Sequence, residues 1–151
     1  MSSGILYHTN CVFVGKDADG VPRSAFQRGC QGSFRGDVAG SQKQYGFLIP
    51  AEAENCDTVE IYEAPINAMS GATLRQFQHD GSWRKVHRLA LGGLNPQPID
   101  YFLQQHPKVG RVELCFDRDE PGRNFTKIVT KRLTERGYAV HNTPPCHWQG
   151  L

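Results

Sequence analysis

From about Asn55 onward the chain reads as an α/β protein, a parallel sheet flanked by helices, preceded by a β-rich N-terminal extension. Three observations predict this. Short apolar runs at 58–62, 86–91, 111–116 and 138–140 alternate with segments of helical spacing. That alternation implies parallel pairing through right-handed crossovers. Helix signals are few before residue 55, where turn chemistry and glycine dominate. And 151 residues with 38% hydrophobic and 10% aromatic content fit one domain, long enough to bury about two thirds of its unfolded surface.

Cys11-Val12-Phe13-Val14-Gly15 predicts a strand, Lys16 to Gly20 carries Asp-Gly turn chemistry, and 21–28 would return antiparallel. After a segment with Gly29, Gly32, Gly36 and Gly40, residues 44–49 predict another short strand. The extension, residues 1–54, is therefore expected to be an antiparallel meander or hairpin layer. It would join the core, residues 55–151, through the polar, acidic stretch 50–56, the two parts forming one compact unit. In the core, strand 58–62 leads to a helix opened by Pro65, with Ile66, Met69, Leu74 and Phe77 expected as its buried stripe. Strand 86–91 ends at Gly92-Gly93. A short helix at 98–106 would turn Ile99, Phe102 and Leu103 inward. Strand 111–116 precedes a helix at 121–136 on which Phe125, Ile128, Val129 and Leu133 keep helical spacing. Gly137 suits its C-terminal cap, and 138–140 begins the last strand.

The most informative stretch is Asp117-Arg118-Asp119-Glu120-Pro121-Gly122, at the end of a strand and the start of a helix. In parallel α/β sheets reacting groups collect at the carboxyl ends of strands. Two aspartates one residue apart can there direct oxygens at one hard cation such as Mg²⁺. Glu63 holds the equivalent place after strand 58–62, which makes a three-acid candidate metal site. The plainer reading of Asp119-Glu120-Pro121 is a helix cap, its acids complementing the helix dipole.

Net charge is +2, which argues for nucleic acid only if concentrated on one face. Arg123, Lys127 and Lys131 recur every four residues and share one helix face, and Trp83-Arg84-Lys85-Val86-His87-Arg88 forms a second cluster. Both can contact phosphates, and the tryptophan can stack on a base; a solvated helix face is the commoner reading of the first. Lys16, Arg35 and Lys43 lie among glycines without the spacing of a nucleotide-binding loop. The five cysteines are widely spaced, with no Cys-x-x-Cys pair, which predicts reduced thiols. The six histidines show no zinc-site spacing. With no eighteen-residue apolar run and no signal-like N-terminus, a cytoplasmic protein is expected.

Three separated motifs arrive in order: Ile61-Tyr62-Glu63-Ala64-Pro65-Ile66-Asn67-Ala68, then Ala90-Leu91-Gly92-Gly93, then Cys115-Phe116-Asp117-Arg118-Asp119-Glu120-Pro121-Gly122. Together they resemble the Toprim signature: a glutamate after the first strand, a glycine after the second, and Asp-x-Asp after the third. Toprim domains occur in bacterial primases, topoisomerases and some nucleases. The match is most similar to the Toprim-like module of bacterial mobile-element proteins, whose preceding segment resembles 11–17 and 40–47, so the resemblance runs from about residue 10 almost to the end. It implies a Toprim-like sheet, Glu63 as general acid/base, and Asp117 and Asp119 holding Mg²⁺ or Mn²⁺. It also implies a nucleic-acid partner, DNA in the first instance, and a chain that is a piece of a larger protein. Gly92 and Gly93 would keep bulk away from the strand end, or form a plain turn.

Two positions depart from the family pattern. Asn67 stands where relatives carry aspartate, and Cys146-His147-Trp148-Gln149 stands where they carry Lys-Asp-Trp-Asn. The leading expectation is a Mg²⁺-dependent nucleic-acid-processing module of primase, nuclease or strand-cleavage type. The alternative is a catalytically decayed DNA-binding or protein-interaction module on a Toprim scaffold. A phosphotransfer enzyme of the haloacid-dehalogenase kind, with Asp117 as nucleophile, is disfavoured, because its Asp-x-Asp follows the first strand and here it follows the third.

Overall fold

A computed structural model of the chain describes residues 8–78 and 81–145. Strands β1 (Asn10–Lys16), β2 (Pro22–Gly29) and β3 (Arg35–Asp37) form a three-stranded antiparallel sheet in that order. The β1–β2 turn is organised by Asp17, whose carboxylate accepts from the backbone N–H groups of Asp19 and Val21 and from Arg23 Nε. Gly20 completes it at φ 79°.

The second sheet has five strands in the order β4-β6-β5-β7-β8: β4 (Phe47–Ile49), β5 (Thr58–Tyr62), β6 (His87–Ala90), β7 (Arg111–Leu114) and β8 (Ala139–Asn142). Strands β6, β5, β7 and β8 run parallel, and β4 closes the edge antiparallel to β6. The expected α/β architecture, a mostly parallel sheet flanked by helices with an antiparallel sheet before it, is the observed one. The strand expected at 44–49 is shorter, and it joins the large sheet instead of the N-terminal layer. Gly46 permits this: a Cβ there would lie 2.6 Å from the Ala90 carbonyl oxygen.

Helix α1 (Pro65–Phe77) connects β5 to β6, with a single 3-10 turn at Ser82–Arg84 before β6. Helix α2 (Gln97–Gln105) connects β6 to β7, and α3 (Glu120–Glu135) connects β7 to β8. Val59, Ile61, Val112 and Leu114 from the central strands are fully buried. Ile99, Phe102 and Leu103 of α2 and Phe125, Val129 and Leu133 of α3 pack into the same core. Ile128, expected beside them, is 63% exposed; at 3.6 residues per turn it lies about 100° round the helix from Val129, off the stripe that 122, 125, 129 and 133 bury.

The larger correction concerns α1. Ile66, Met69, Leu74 and Phe77 are all exposed, Phe77 at 71%, and the buried residues of the helix are Pro65 and Ala68. Small residues face the sheet because the helix lies close against it. At Gly71 a Cβ would sit 2.3 Å from the Tyr62 hydroxyl, so only glycine lets that ring fit beneath the helix. Apolar spacing found a helix here and misassigned its buried face.

The two sheets are joined by specific contacts. Phe13 packs edge-on against Phe47, Tyr45 against Tyr101, and the Ala18 N–H donates to the Tyr101 hydroxyl at 2.9 Å.

Candidate functional site

Strands β5 and β7 are parallel neighbours with Ile61 opposite Leu114, and the Cys115 N–H donates to the Ile61 carbonyl at 2.8 Å. Glu63 and the Asp117–Asp119 turn therefore leave the sheet at the same carboxyl edge. Their charges meet there. The Glu63 pKa is raised, first by burial and then by the negative charges of Asp117 and Asp119, while Arg35 on β3 pulls it back. Glu63 is half-buried and the two aspartates are exposed. Among the described residues neither Glu63 nor Asp117 belongs to an ion pair.

Both turns at this edge are fixed by backbone chemistry. The Gly92 and Gly93 N–H groups donate to the Glu63 carbonyl at 2.9 and 3.1 Å. Each glycine has a positive φ, 73° and 135°, and a Cβ on either would meet nothing within 4 Å. Conformation, not spare room, requires glycine here, so the plain-turn reading of this pair is the physical one. In the Asp-x-Asp turn, Asp119 caps α3, its Oδ1 accepting from the Gly122 N–H at 2.8 Å. A Cβ on Gly122 would come within 2.1 Å of the Asp117 carbonyl oxygen, so the turn closes only on glycine.

The plainer reading of Asp119 is thus realised, which commits one of its two oxygens. Among the described residues no three His, Cys, Asp or Glu side chains are drawn together tightly enough to hold a metal ion. A groove of about 660 Å³ opens beside Asp117, lined by Tyr62, Asn67, Leu74, Arg118 and Thr143 among others. Asn67, the departure from the family pattern, faces the same groove as Asp117. Cys146-His147-Trp148-Gln149 lies outside the described residues.

The basic residues divide. Arg123, Lys127 and Lys131 are exposed on α3, and Arg123 donates to the Arg118 carbonyl inside the Asp-x-Asp turn. A helix rises about 1.5 Å per residue, so this row begins at the acidic edge and leads away from it. Arg84 and Lys85 are also exposed but precede β6, which places them at the amino ends of the parallel strands, opposite the acids. Arg84 pairs there with Glu52 at 3.3 Å and stacks over Trp83. Lys43 is paired with Asp37.

Two members of the 83–88 cluster are not surface groups at all. Arg88 is fully buried, His87 is 8% exposed, and both support the sheet. Arg88 Nε lies 3.0 Å from Glu60 Oε2, whose carboxylate also takes Arg75 at 2.5 Å and the Tyr62 hydroxyl at 2.8 Å. The buried Glu60–Arg88 pair, with the partly exposed Arg75 of α1 reaching down to the same carboxylate, was not anticipated from sequence. Its available signal was one acid inside an otherwise apolar strand and an arginine at the matching place on the next.

A family model described as Toprim-like matches residues 60–147, and a second, described as a protein of unknown function (DUF3991), matches 5–54. The chain belongs to the Toprim-like family. Among curated proteins none matches it. Among solved structures it is similar to the primase fragment of the bacteriophage T7 primase-helicase protein, at 16% identity and TM-score 0.63, over 89% of this chain and 54% of that one. It is also similar to the zinc-binding and RNA polymerase domains of the Aquifex aeolicus primase, at 17% identity and TM-score 0.61, over 97% of this chain and 38% of that one. A third structure contains T7 primase domains bound to an RNA/DNA hybrid and dTTP with the lagging-strand DNA polymerase, at 16% identity and TM-score 0.58, over 89% and 65%. The chain thus spans between about two fifths and two thirds of these proteins, and at such identities the likeness is one of fold.

Proposed function

We propose that this chain is a divalent-cation-dependent nucleic-acid-processing module, of primase, nuclease or strand-cleavage type, working within a larger mobile-element protein in the cytoplasm. In this reading residues 1–54 and 55–151 are an extension and a core that act as one unit. The observation that carries it is the raised pKa of Glu63 at the edge where Asp117 and Asp119 add their charges. An acid so placed holds a proton at pH values where an ordinary glutamate has lost it, which suits a general acid/base.

The donors are of the kind a hard cation takes, though they would have to draw closer to share one: Asp117 and Glu63 bring carboxylates without ion-pair partners among the described residues, and Asp119 brings Oδ2. Asp117 and Asp119 would hold Mg²⁺ or Mn²⁺, which supplies charge stabilisation to a phosphodiester undergoing attack. The chain's own residues do the rest. Glu63 takes or gives the proton, the Gly92 and Gly93 amides fix the backbone from which it projects, and Arg123, Lys127 and Lys131 lead a phosphate backbone toward the acids. DNA is the partner we favour. The T7 and Aquifex neighbours are primases by their descriptions, which supports nucleic-acid work in general.

A second reading, a decayed scaffold that binds without catalysing, is favoured by Asn67 in the groove that Asp117 also lines and by the commitment of Asp119 Oδ1 to its helix. Thermal melting with millimolar Mg²⁺ or Mn²⁺, followed by cleavage of single-stranded DNA, separates the two. The proposal expects a cation-dependent rise in melting temperature, since a ligand of the folded state alone stabilises it, and expects Asp117→Asn to remove both the rise and any cleavage. Equal melting of wild type and variant at every cation concentration would leave the second reading.

A further inference from the structure

We infer that Cys11 and Cys30 form a redox-active dithiol that closes into a disulfide across the β1–β2 hairpin. The two sulfurs lie 3.7 Å apart and both residues are exposed, whereas Cys56 and Cys115 are buried. The hairpin register explains the approach. Cys11 pairs with Arg28 and Asn10 with Gly29, and the Cys30 N–H donates to the Thr9 carbonyl at 2.9 Å, continuing the ladder past the end of β2. Residues 11 and 30 are thus diagonal neighbours on one face of an antiparallel pair, and their 3.7 Å sulfur separation shows the two short side chains turned toward each other. A disulfide needs its sulfurs at about 2.05 Å, so less than 2 Å of closure remains at the exposed end of a hairpin.

Two widely spaced cysteines carry no redox signal in sequence; the fold alone brings them together. The crosslink would also constrain the neighbouring turn. Cys30 opens the connection between β2 and β3, where the Gly29 N–H donates to the Phe34 carbonyl at 2.8 Å, and the next residue is Arg35. Arg35 is the cation that opposes the raised pKa of Glu63. Oxidation therefore ties down the turn that presents Arg35 to the acidic edge.

The reaction with a small-molecule disulfide balances without other partners. One cysteine thiolate attacks a sulfur of the oxidant, forming a mixed disulfide and expelling one thiolate. The second cysteine, its proton released to solvent, attacks the protein-side sulfur of that mixed disulfide and expels the other thiolate. The two protein thiols give up two electrons, the oxidant is reduced to two thiols, and the two protons end on them.

The test uses the full chain with oxidised glutathione as the probe, read by intact mass and tryptic mapping without reductant. The expected product is monomeric, lighter by two hydrogen atoms, with peptide 1–16 joined to peptide 29–35, and reversed by dithiothreitol. Hydrogen exchange in residues 29–37 should slow on oxidation. Cys11→Ser and Cys30→Ser, isosteric changes at exposed positions, should each abolish the link and the slowing, and should leave one glutathione on the remaining exposed cysteine of the pair. Separate glutathione adducts on both cysteines without closure, a link from either to Cys146, disulfide-joined dimers, or exchange in 29–37 unaltered by a formed link would each overturn the inference.

Discussion

Glu63 shows how one side chain gathers its chemistry from three places. Its backbone is fixed by the Gly92 and Gly93 amides, its carboxyl is desolvated by the strand end, and its charge is opposed by Asp117 and Asp119. Folding raises its pKa, so the folded chain binds more protons than the unfolded one from the ordinary 4.5 up to the folded value. Stability from this residue is therefore lost as pH rises through that window, and the site bears the cost of an arrangement suited to a cation or a proton. Gly122 is the residue on which the arrangement depends most directly. In Gly122→Ala the new methyl meets the Asp117 carbonyl at 2.1 Å, a backbone collision that cannot be relieved by a rotamer change. We expect a loss of roughly 1–3 kcal/mol, the range for overpacking, measured by urea denaturation, together with a weaker response to Mn²⁺ because the Asp-x-Asp turn must open. The acids themselves were legible in sequence, because strand ends announce where they project. The second duty of Asp119 as a helix cap was legible only as an alternative, since one short motif serves both uses.

At the scale of elements, the strands and helices were read where apolar periodicity and burial coincide, and misread where they part. Helix α2 buries the residues its spacing marks. Helix α1 does not, because Ala68 and Gly71 bring it too close to β5 for large side chains to fit between, leaving Ile66 and Phe77 outside. Arg88 is misread for the opposite reason: within a run of basic residues it looks available to phosphates, yet it pairs with Glu60 across adjacent strands and is removed from water. His87 on the same strand is buried against Phe102 and His106, and its Nδ1 accepts from the Ala51 N–H. Burial, and then His106, lower its pKa from 6.5 to about 4. The unfolded chain thus binds the extra proton between these values, so stability is full above pH 6.5 and falls as pH drops toward 4. Replacing His87 by Gln should flatten the pH dependence of the denaturation midpoint in that interval. A slope unchanged by the substitution would place the titrating group elsewhere.

Across the whole molecule, charge is arranged with respect to the sheet, which no count of charges reveals. The α3 row starts at the acidic edge, whereas Arg84 and Lys85 sit at the opposite end of the strands. On the far side of α3, Arg132 and Arg136 are taken up by Asp100 of α2. Nucleic acid bound at the carboxyl edge should therefore feel Arg123, Lys127 and Lys131. Each phosphate contact removed should lower the slope of log affinity against log salt by about 0.7 for a single strand. Replacing all three by Gln should then flatten the slope by about 2, measured by fluorescence anisotropy on labelled single-stranded DNA. The Arg84→Gln, Lys85→Gln pair should leave it unchanged, and the reverse pattern would move the binding face to the amino ends of the strands.

If Glu63, Asp117 and Asp119 act as one site, as proposed, the proton on Glu63 must sense the other two acids. Carboxyl-detected NMR titration of Glu63, in wild type and in Asp117→Asn, tests this without requiring activity. We predict that Glu63 titrates above the ordinary glutamate value, that its pKa falls when the Asp117 charge is removed, and that Mn²⁺ broadens the Glu63, Asp117 and Asp119 signals together. A Glu63 that titrates at the ordinary value, insensitive to Asp117→Asn, with Mn²⁺ broadening absent or confined to one carboxylate, would contradict it.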